Sequence, residues 1–409
     1  MMRNTLSMAW RNIWRSPWRS SVVIIAMALG IWAGIFTIGL TQGMNTARTN
    51  SALNDYIGHG RISTETYMVN GDIAAYIPQY QEVTASLEAS DQVSAWAPRL
   101  ITSSMIQSGS KSTAVMVMGV DPEREGLVFS SAVNVVEGHF LTDPSGDELV
   151  IGQSLADKLD VMLDDRIVLT FQDQTGNIYA GLFWVTGIYD GVSNMVEEAN
   201  LYVSIGTLSE ALALPSSSAH EIRYRVTDLA ELDATQAKLT ASMPAVVQLD
   251  GWKRINPELG MADDIMAQAM LIFITIILLA MSFGILNTML MAILERQREL
   301  GMLMAIGMNK SRLFALIVTE TLLLSLAGLP LGIALGHVSL TLMAKTGISM
   351  ASMEQGMAEY GIASTIYPVT VPEYYLTIAA LVFVLSFLFS LYPARKALKL
   401  NPVESMRVL

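Results

Sequence analysis

The sequence contains no cysteine. Disulfides, thiol nucleophiles, thiolate metal sites and a lipid anchor on cysteine are therefore excluded. Charge is also scarce, since 15% of the 409 residues are charged and 52% are hydrophobic, whereas soluble proteins average about 25% charged residues. Because long parts of the chain are nevertheless polar, this composition indicates an integral membrane protein with a few spans and a sizeable soluble domain.

Motifs for catalysis are missing as well. No Gly-Lys pair occurs, so the chain lacks the G-x-x-x-x-G-K-[ST] loop that binds ATP. Neither G-x-S-x-G nor H-E-x-x-H is present, and the four histidines are scattered at His59, His139, His220 and His337. The stretch 143–148 alternates oxygen-bearing residues, but it lacks the EF-hand pattern and is predicted to be a turn. We expect no catalytic residue, no metal site and no cofactor in this chain.

Four apolar runs are long enough to cross a hydrocarbon core of about 30 Å as helices. They are residues 21–43, 265–294, 313–336 and 374–392. Basic residues cluster in the segments 1–20, 295–312 and 393–409, which places these three segments and both termini in the cytoplasm. Residues 44–265 hold 12 Lys and Arg against 30 Asp and Glu. This acidic part and the loop 337–373 are therefore expected on the outer side.

The amino-terminal segment 1–20 has a helical spacing of apolar residues. These are Leu6, Ala9, Trp10, Ile13 and Trp14, with Arg11 and Arg15 alongside. The pattern favours an amphipathic helix lying in the inner membrane interface, and the alternative is ordinary positively charged flanking sequence. Ser20 or Ser21 is expected to cap the helix that follows.

Residues 44–264 have the mixed pattern of an α+β domain. Short β-branched and aromatic runs predict strands at 113–120, 166–171, 178–189, 201–205 and 221–226. Amphipathic spacing predicts helices at 72–90, 152–159 and 228–243. The expected fold is therefore four transmembrane helices with a large α+β extracytoplasmic domain between the first and the second.

Small residues recur at every fourth position within the spans. Glycines with this spacing are Gly30, Gly34, Gly284, Gly328, Gly332 and Gly336. Such spacing lets helix backbones approach closely, within one chain or in a dimer. The alternative is that small residues are simply common in spans.

Glu320 lies two turns into the third span, where an unpaired carboxylate is costly. One interpretation is an ion-paired hinge within the helix bundle. The other is a carboxylate near the interface that is hydrated or paired with Arg312 or Lys310. The residues alone leave both open.

The segment 295–312 places Leu300, Leu303 and Met304 on one helical face. Gly307 is expected just beyond the end of this short helix, and Asn309 or Ser311 is expected to cap the next one. Such a helix is able to dock into a groove of another protein, but an ordinary connecting turn fits the composition equally well.

Two stretches carry a resemblance to a known family. Residues 295–308 read E-R-Q-R-E-L-G-M-L-M-A-I-G-M, and residues 392–407 read Y-P-A-R-K-A-L-K-L-N-P-V-E-S-M-R. The first is similar to the E-R-x-R-E-I-G-x-L-R-A-I-G-A loop of the FtsX-like permease family of ABC transporters, and the second to that family's P-A-x-x-A-x-x-x-x-P-x-E-x-L-R ending. The family includes MacB-type efflux permeases and Lol-type lipoprotein-releasing permeases.

The resemblance implies a mechanotransmission permease in the bacterial inner membrane. Two copies, or two related permease chains, would work with a separate ATPase subunit that binds the ATP. The central loop would be the coupling helix, with Glu295, Arg298, Glu299, Gly301, Leu303, Ala305 and Gly307 as its coupling residues. The outer domain would comprise a Porter-like part at 45–130 and 223–262 and a Sabre-like part at 131–222.

The resemblance also implies the work that is done. The leading expectation is release of lipoproteins, with a periplasmic chaperone or adaptor as a further partner and no role for nucleic acid. MacB-like efflux is the first alternative, although MacB-type chains usually carry an ATPase ahead of the first span and about 20 residues precede it here. The second alternative is a signalling scaffold that activates a cell-wall hydrolase without transport.

Overall fold

The computed structural model describes residues 2–130, 134–191, 193–350, 356 and 365–399. The described chain forms two compact units. Residues up to 45, 264–349 and those from 365 onward form what we call the helical unit, and residues 46–263 belong to what we call the sheet domain. The tail residues 400–409 and most of the segment 351–364 lie outside the described residues.

Helices occur in both units. In chain order they are α1 Met2–Arg15, α2 Pro17–Ala52, α3 Glu65–Asn70, α4 Tyr80–Glu88, α5 Pro122–Val128, α6 Gln153–Leu159, α7 Asn194–Ala199, α8 Ile205–Ala211, α9 Leu232–Ser242, α10 Trp252–Ile255, α11 Pro257–Glu295, α12 Gln297–Ala305, α13 Lys310–Thr346 and α14 Pro372–Ala397. Four of them, α2, α11, α13 and α14, are long and apolar enough to cross a membrane. The four predicted spans are thereby confirmed.

The long helices extend beyond the predicted spans. α13 continues to Thr346, so the first ten residues of the predicted loop 337–373 are helical. α14 continues to Ala397, into the predicted tail. The prediction that Ser20 or Ser21 caps the first span is wrong, because α2 already begins at Pro17. The Ser20 hydroxyl instead donates to the Ile13 carbonyl at 2.7 Å, which joins the start of α2 to the end of α1.

The sheet domain is built on one ten-stranded sheet. Its strands are β1 Gly60–Thr64, β2 Val93–Ser108, β3 Lys111–Val120, β4 Val135–Gly138, β5 Glu148–Gly152, β6 Arg166–Gln172, β7 Ile178–Tyr189, β8 Asn200–Ser204, β9 Glu221–Val226 and β10 Val247–Gly251. The order is β10-β1-β9-β2-β3-β8-β5-β7-β4, and β6 pairs with both β2 and β7. The pairs β3–β8 and β5–β7 are parallel, and the others are antiparallel.

The predicted helix at 72–90 is only half correct. α4 covers Tyr80–Glu88, whereas the residues before it form turns and an isolated bridge between Ile77 and Ala219. Pro78 explains the difference, because a proline disfavours helical geometry at the residue before it. The predicted strands 178–189 and 221–226 match β7 and β9 in the structure.

The two largest apolar clusters of the sheet domain lie against the sheet. One is formed by β2, β3 and β5 to β8 with helices α6 and α8, and its members include Leu100, Leu149, Ile167, Phe183 and Leu208. The other lies around β1, β9, α4 and α9 and includes Ile62, Leu87, Ile222 and Leu239. The strands of the predicted Porter-like and Sabre-like parts belong to the same sheet, and the division into these two parts stays a prediction.

Candidate functional site

Both ends of the short helix α12 are marked by a residue with non-helical backbone angles. Arg296 alone divides it from α11 and has non-helical angles, φ −100° and ψ 12°. At the other end Gly307 has φ +102°, a conformation that favours glycine at a helix end. The Asn309 side chain accepts from the backbone N–H of Ser311 and caps α13. These stops confine the helix to Gln297–Ala305.

The inner face of α12 packs on the other helices of its unit. Leu300 and Gly301 are buried, and Met304 packs on the same apolar cluster. That cluster also includes Ile293 of α11, Leu313, Ile317 and Val318 of α13, and Ala394 and Ala397 of α14. The predicted docking face containing Leu300 and Met304 is therefore turned toward the chain's own helices. Gly301, predicted as a coupling residue, is likewise enclosed, and Leu303 is only partly exposed.

The outer face of α12 exposes a different set of residues. Arg298, Met302 and Ile306 follow one another at steps of four, and Ile306 is 79% exposed. The predicted residues Ala305 and Gly307 are exposed beside them. Sequence reasoning missed Met302 and Ile306, although their spacing of four was visible. An exposed apolar pair flanked by a cation is a surface suited to contact with another protein.

The acidic residues of this region belong to a connected set of ion pairs. Glu299 Oε1 forms an ion pair with Arg15 Nη2 at 2.7 Å, and Glu299 Oε2 accepts a hydrogen bond from Arg296 Nε at 3.2 Å. Arg296 Nη1 also donates to Glu320 Oε1 at 3.1 Å. Glu320 is thus ion-paired with Arg296, a partner that the sequence did not suggest. Glu295 lies at the exposed end of α11.

Three glycines of α13 lie directly against α2. A Cβ atom built on Gly328 would stand 2.9 Å from Met27 Cβ, one on Gly332 would stand 2.6 Å from Ile31 Cβ, and one on Gly336 would stand 2.7 Å from Ile35 Cγ2. Since side chains do not approach so closely, glycine is what permits this helix contact.

The other three glycines of the pattern differ from one another. A Cβ atom on Gly30 would collide with the side chain of Met281 in α11. A Cβ atom on Gly34 or Gly284 would meet no atom within 4 Å. Gly34 and Gly284 therefore do not pack closely against another helix of the described chain. The regular spacing of glycines predicted more close contacts than the structure contains.

An apolar cavity of about 220 Å³ lies between α2 and α11 within the helical unit. Its lining consists of Thr37, Ile38, Thr41, Met266, Met270, Phe273, Ile274 and Ile277. None of these side chains is charged, and methionine adapts readily to the shape of a neighbour. The cavity is therefore chemically suited to a hydrocarbon chain.

The carboxylate of Glu148, in the stretch 143–148, is hydrogen-bonded by neighbouring residues of the chain. Glu148 accepts hydrogen bonds from the backbone N–H and hydroxyl of Thr142 and from the backbone N–H of Asp143. Partial burial acts to raise the pKa of Glu148, but these hydrogen bonds outweigh it and hold the pKa below its usual value. Among the described residues no group of three or more histidine or acidic side chains could hold a metal ion.

Comparisons with known proteins match both halves of the chain. Residues 20–242 match the MacB-like periplasmic core domain, and residues 271–402 match the FtsX-like permease C-terminal family. The lipoprotein-releasing system transmembrane protein LolC of Xylella fastidiosa is 21% identical over 94% of this chain and 92% of its own. LolE of Haemophilus influenzae is 22% identical over 80% of each chain. The macrolide export ATP-binding/permease protein MacB of a Shewanella strain is 23% identical over 76% of this chain and 46% of its own.

Proposed function

The chain belongs to the FtsX-like permease family with a MacB-like periplasmic core domain, and from this premise we propose that it couples ATP hydrolysis by a separate subunit to work in the periplasm. It is a permease of the Lol and MacB type among ABC transporters. The observation that carries the coupling proposal is the exposed outer face of α12. We propose that this face binds the ATPase subunit. We also assign both termini of the chain to the cytoplasm.

The contact with the ATPase is proposed to involve Arg298, Met302, Ala305 and Ile306. These four side chains are exposed on one face of a helix whose opposite face is packed on α11, α13 and α14. A helix held on one side by its own bundle transmits a push more directly than a free loop does. The family resemblance also implied Gly301 and Glu299 as coupling residues. We propose that these two hold α12 in position and do not contact the ATPase.

Lipoprotein release is the substrate proposal. The matched LolC and LolE proteins are named as parts of lipoprotein-releasing systems, and LolC aligns over nearly the full length of both chains. Lipoproteins carry acyl chains, and the cavity between α2 and α11 has the apolar lining that an acyl chain requires. Efflux is the second candidate, because the macrolide export protein also aligns with three quarters of this chain. A second permease copy or a related chain would complete the complex in the bacterial inner membrane.

The test is purification of the tagged chain in mild detergent, with the co-purifying proteins identified and ATP turnover measured. We expect an ABC ATPase together with lipoproteins. Ile306→Asp should remove the ATPase, because a carboxylate would be buried in an apolar contact. Val69→Asp is the matched control, since Val69 is 76% exposed on the sheet domain.

The outcomes separate the possibilities. An ATPase that remains bound to the Ile306 variant would contradict the proposed contact face. An adaptor in place of lipoproteins would favour efflux, and a cell-wall hydrolase would favour the signalling role. If the native chain retains no ATPase, the coupling function itself is wrong.

A further inference from the structure

Four charged side chains connect three helices at the base of the helical unit. Arg15 ends α1, Glu299 lies in α12, Arg296 separates α11 from α12, and Glu320 lies in α13. Their charges alternate along the path Arg15, Glu299, Arg296, Glu320, with successive N···O distances of 2.7, 3.2 and 3.1 Å. We call this set the ionic bridge.

We propose that Arg296 is the positioning residue of α12, and that the ionic bridge passes a displacement of α12 to α1 and α13. The inference rests on the proposed coupling function of α12 and names the side chains that regulate it. The guanidinium of Arg296 uses two different nitrogens, Nε toward Glu299 and Nη1 toward Glu320. Because these bonds run to two different helices, a shift that separates Glu299 from Glu320 lengthens at least one of them.

The position of Arg296 in the chain supports this role. It is the only residue between α11 and α12, so its backbone is the joint about which α12 can turn. Its backbone N–H still donates to Ala292 at 3.2 Å, and its carbonyl accepts from Leu300 at 2.9 Å. The backbone of Arg296 therefore continues the hydrogen bonding of α11 and α12. Its side chain responds to the relative position of α12 and α13, because it is bonded to both.

Exposure of the side chains falls along the ionic bridge. Arg15 and Glu299 are 67% and 39% exposed, whereas Arg296 and Glu320 are 19% and 14% exposed. The outer pair is screened by water and weak, and the inner pair is less screened and stronger. A movement that starts at the exposed face of α12 would thus open the outer link first and act on the inner pair afterwards.

A small polar cavity makes opening of the inner pair possible. It has a volume of about 20 Å³ and lies beside Arg296 and Glu320, where Asn12, Ser16, Ser20 and Thr288 contribute polar groups. This volume is enough for about one water molecule. Polar groups beside a separated pair offer it alternative hydrogen-bond partners, which lowers the cost of breaking it.

The experiment uses the complete complex of the chain with its ATPase subunit and compares charge variants. Arg296→Glu and Glu320→Arg should each lower permease-stimulated ATP turnover about tenfold or more, because a charge-assisted hydrogen bond is lost from one state of the cycle. The ATPase should stay bound, since neither residue lies on the exposed face of α12. The double variant restores opposite charges at the inner pair but places a carboxylate at position 296 beside Glu299, so it should recover only part of the lost turnover, about threefold above either single variant.

Further variants keep the test decisive. Arg296→Lys retains the charge but cannot bridge two carboxylates with a planar fork, so it should also be impaired. Lys158→Glu alters a surface pair of the sheet domain and is the control. Single variants with native turnover, or a double variant that recovers stability but not turnover, would overturn the role of the ionic bridge. If the native chain does not stimulate the ATPase at all, the proposed function fails instead.

Discussion

The most deeply buried ion pairs of the sheet domain differ from the ion pairs of the helical unit. In the sheet domain the Arg99 and Glu125 side chains are 1% and 0% exposed, and Glu221 with Arg223 is almost as deeply buried. In the helical unit each ion pair of the ionic bridge retains some contact with solvent. The buried pairs of the sheet domain are shielded from water, whereas water partly screens the pairs of the ionic bridge.

The buried arginines also hold the backbone where α2 ends. α2 is followed by a π-helical turn, Leu53–Ile57. Arg99 donates to the Tyr56 carbonyl at 3.4 Å, and Arg223 donates to the Ile57 carbonyl at 2.7 Å. Burial acts to raise the pKa of Glu221, but Arg223 outweighs it and holds that pKa below its usual value. Glu221 therefore stays charged and keeps Arg223 in place.

Removing a buried charge should have the largest effect on stability. Glu125→Ala leaves the guanidinium of Arg99 buried without its carboxylate, and breaking such a pair costs about 3–5 kcal/mol. We expect the sheet domain of the full chain to unfold at a clearly lower temperature, which heating followed by limited proteolysis in detergent would detect. The double variant Arg99→Met with Glu125→Leu should recover much of the loss. A single variant with native stability would remove the contrast between the two units.

A smaller effect on stability is expected at the close contact between α2 and α13. Gly332→Ala places a Cβ atom 2.6 Å from Ile31 Cβ and 2.8 Å from the Ala28 carbonyl oxygen, and overpacking of this kind costs about 1–3 kcal/mol. Gly284→Ala is the matched control, because no atom lies within 4 Å of its Cβ position. Thermal unfolding of both variants in detergent is the measurement. Equal midpoints would show that the α2–α13 contact is not tight.

Much of this fold could be predicted from residue patterns that are local. Period-two alternation gave β9, the mixed run at 178–189 gave β7, and uninterrupted apolar runs gave the four long helices. Each of these signals lies within one element. Helix ends were predicted less well, because α13 continues past its apolar run to Thr346, where Gly347 has φ +70°, and α14 begins at Pro372.

The candidate site was predicted less well because it depends on which face of a helix is covered. α12 has two apolar strips, one with Leu300 and Met304 and one with Met302 and Ile306. Periodicity identifies both strips but does not tell which one packs on α11, α13 and α14. The partner of Glu320 was equally inaccessible, because Arg296 is 24 residues away and the whole of α12 lies between them.

The smallest stability effects are expected from two surface pairs with the same N···O distance. Lys158 and Glu198 are 2.7 Å apart in the sheet domain, as are Arg15 and Glu299 in the helical unit. Both pairs are strongly exposed, so Lys158→Ala and Arg15→Ala should each change the free energy of unfolding by about 0–1 kcal/mol. ATP turnover should nevertheless distinguish them: Lys158→Ala should leave it unchanged, and Arg15→Ala should lower it about two- to fivefold. If neither variant affects turnover, α1 is not connected to α12 and the ionic bridge consists of Glu299, Arg296 and Glu320 alone. A loss of ATP turnover in the Lys158 variant would instead mean that an exposed ion pair of the sheet domain also affects coupling, and the comparison of the two units would fail.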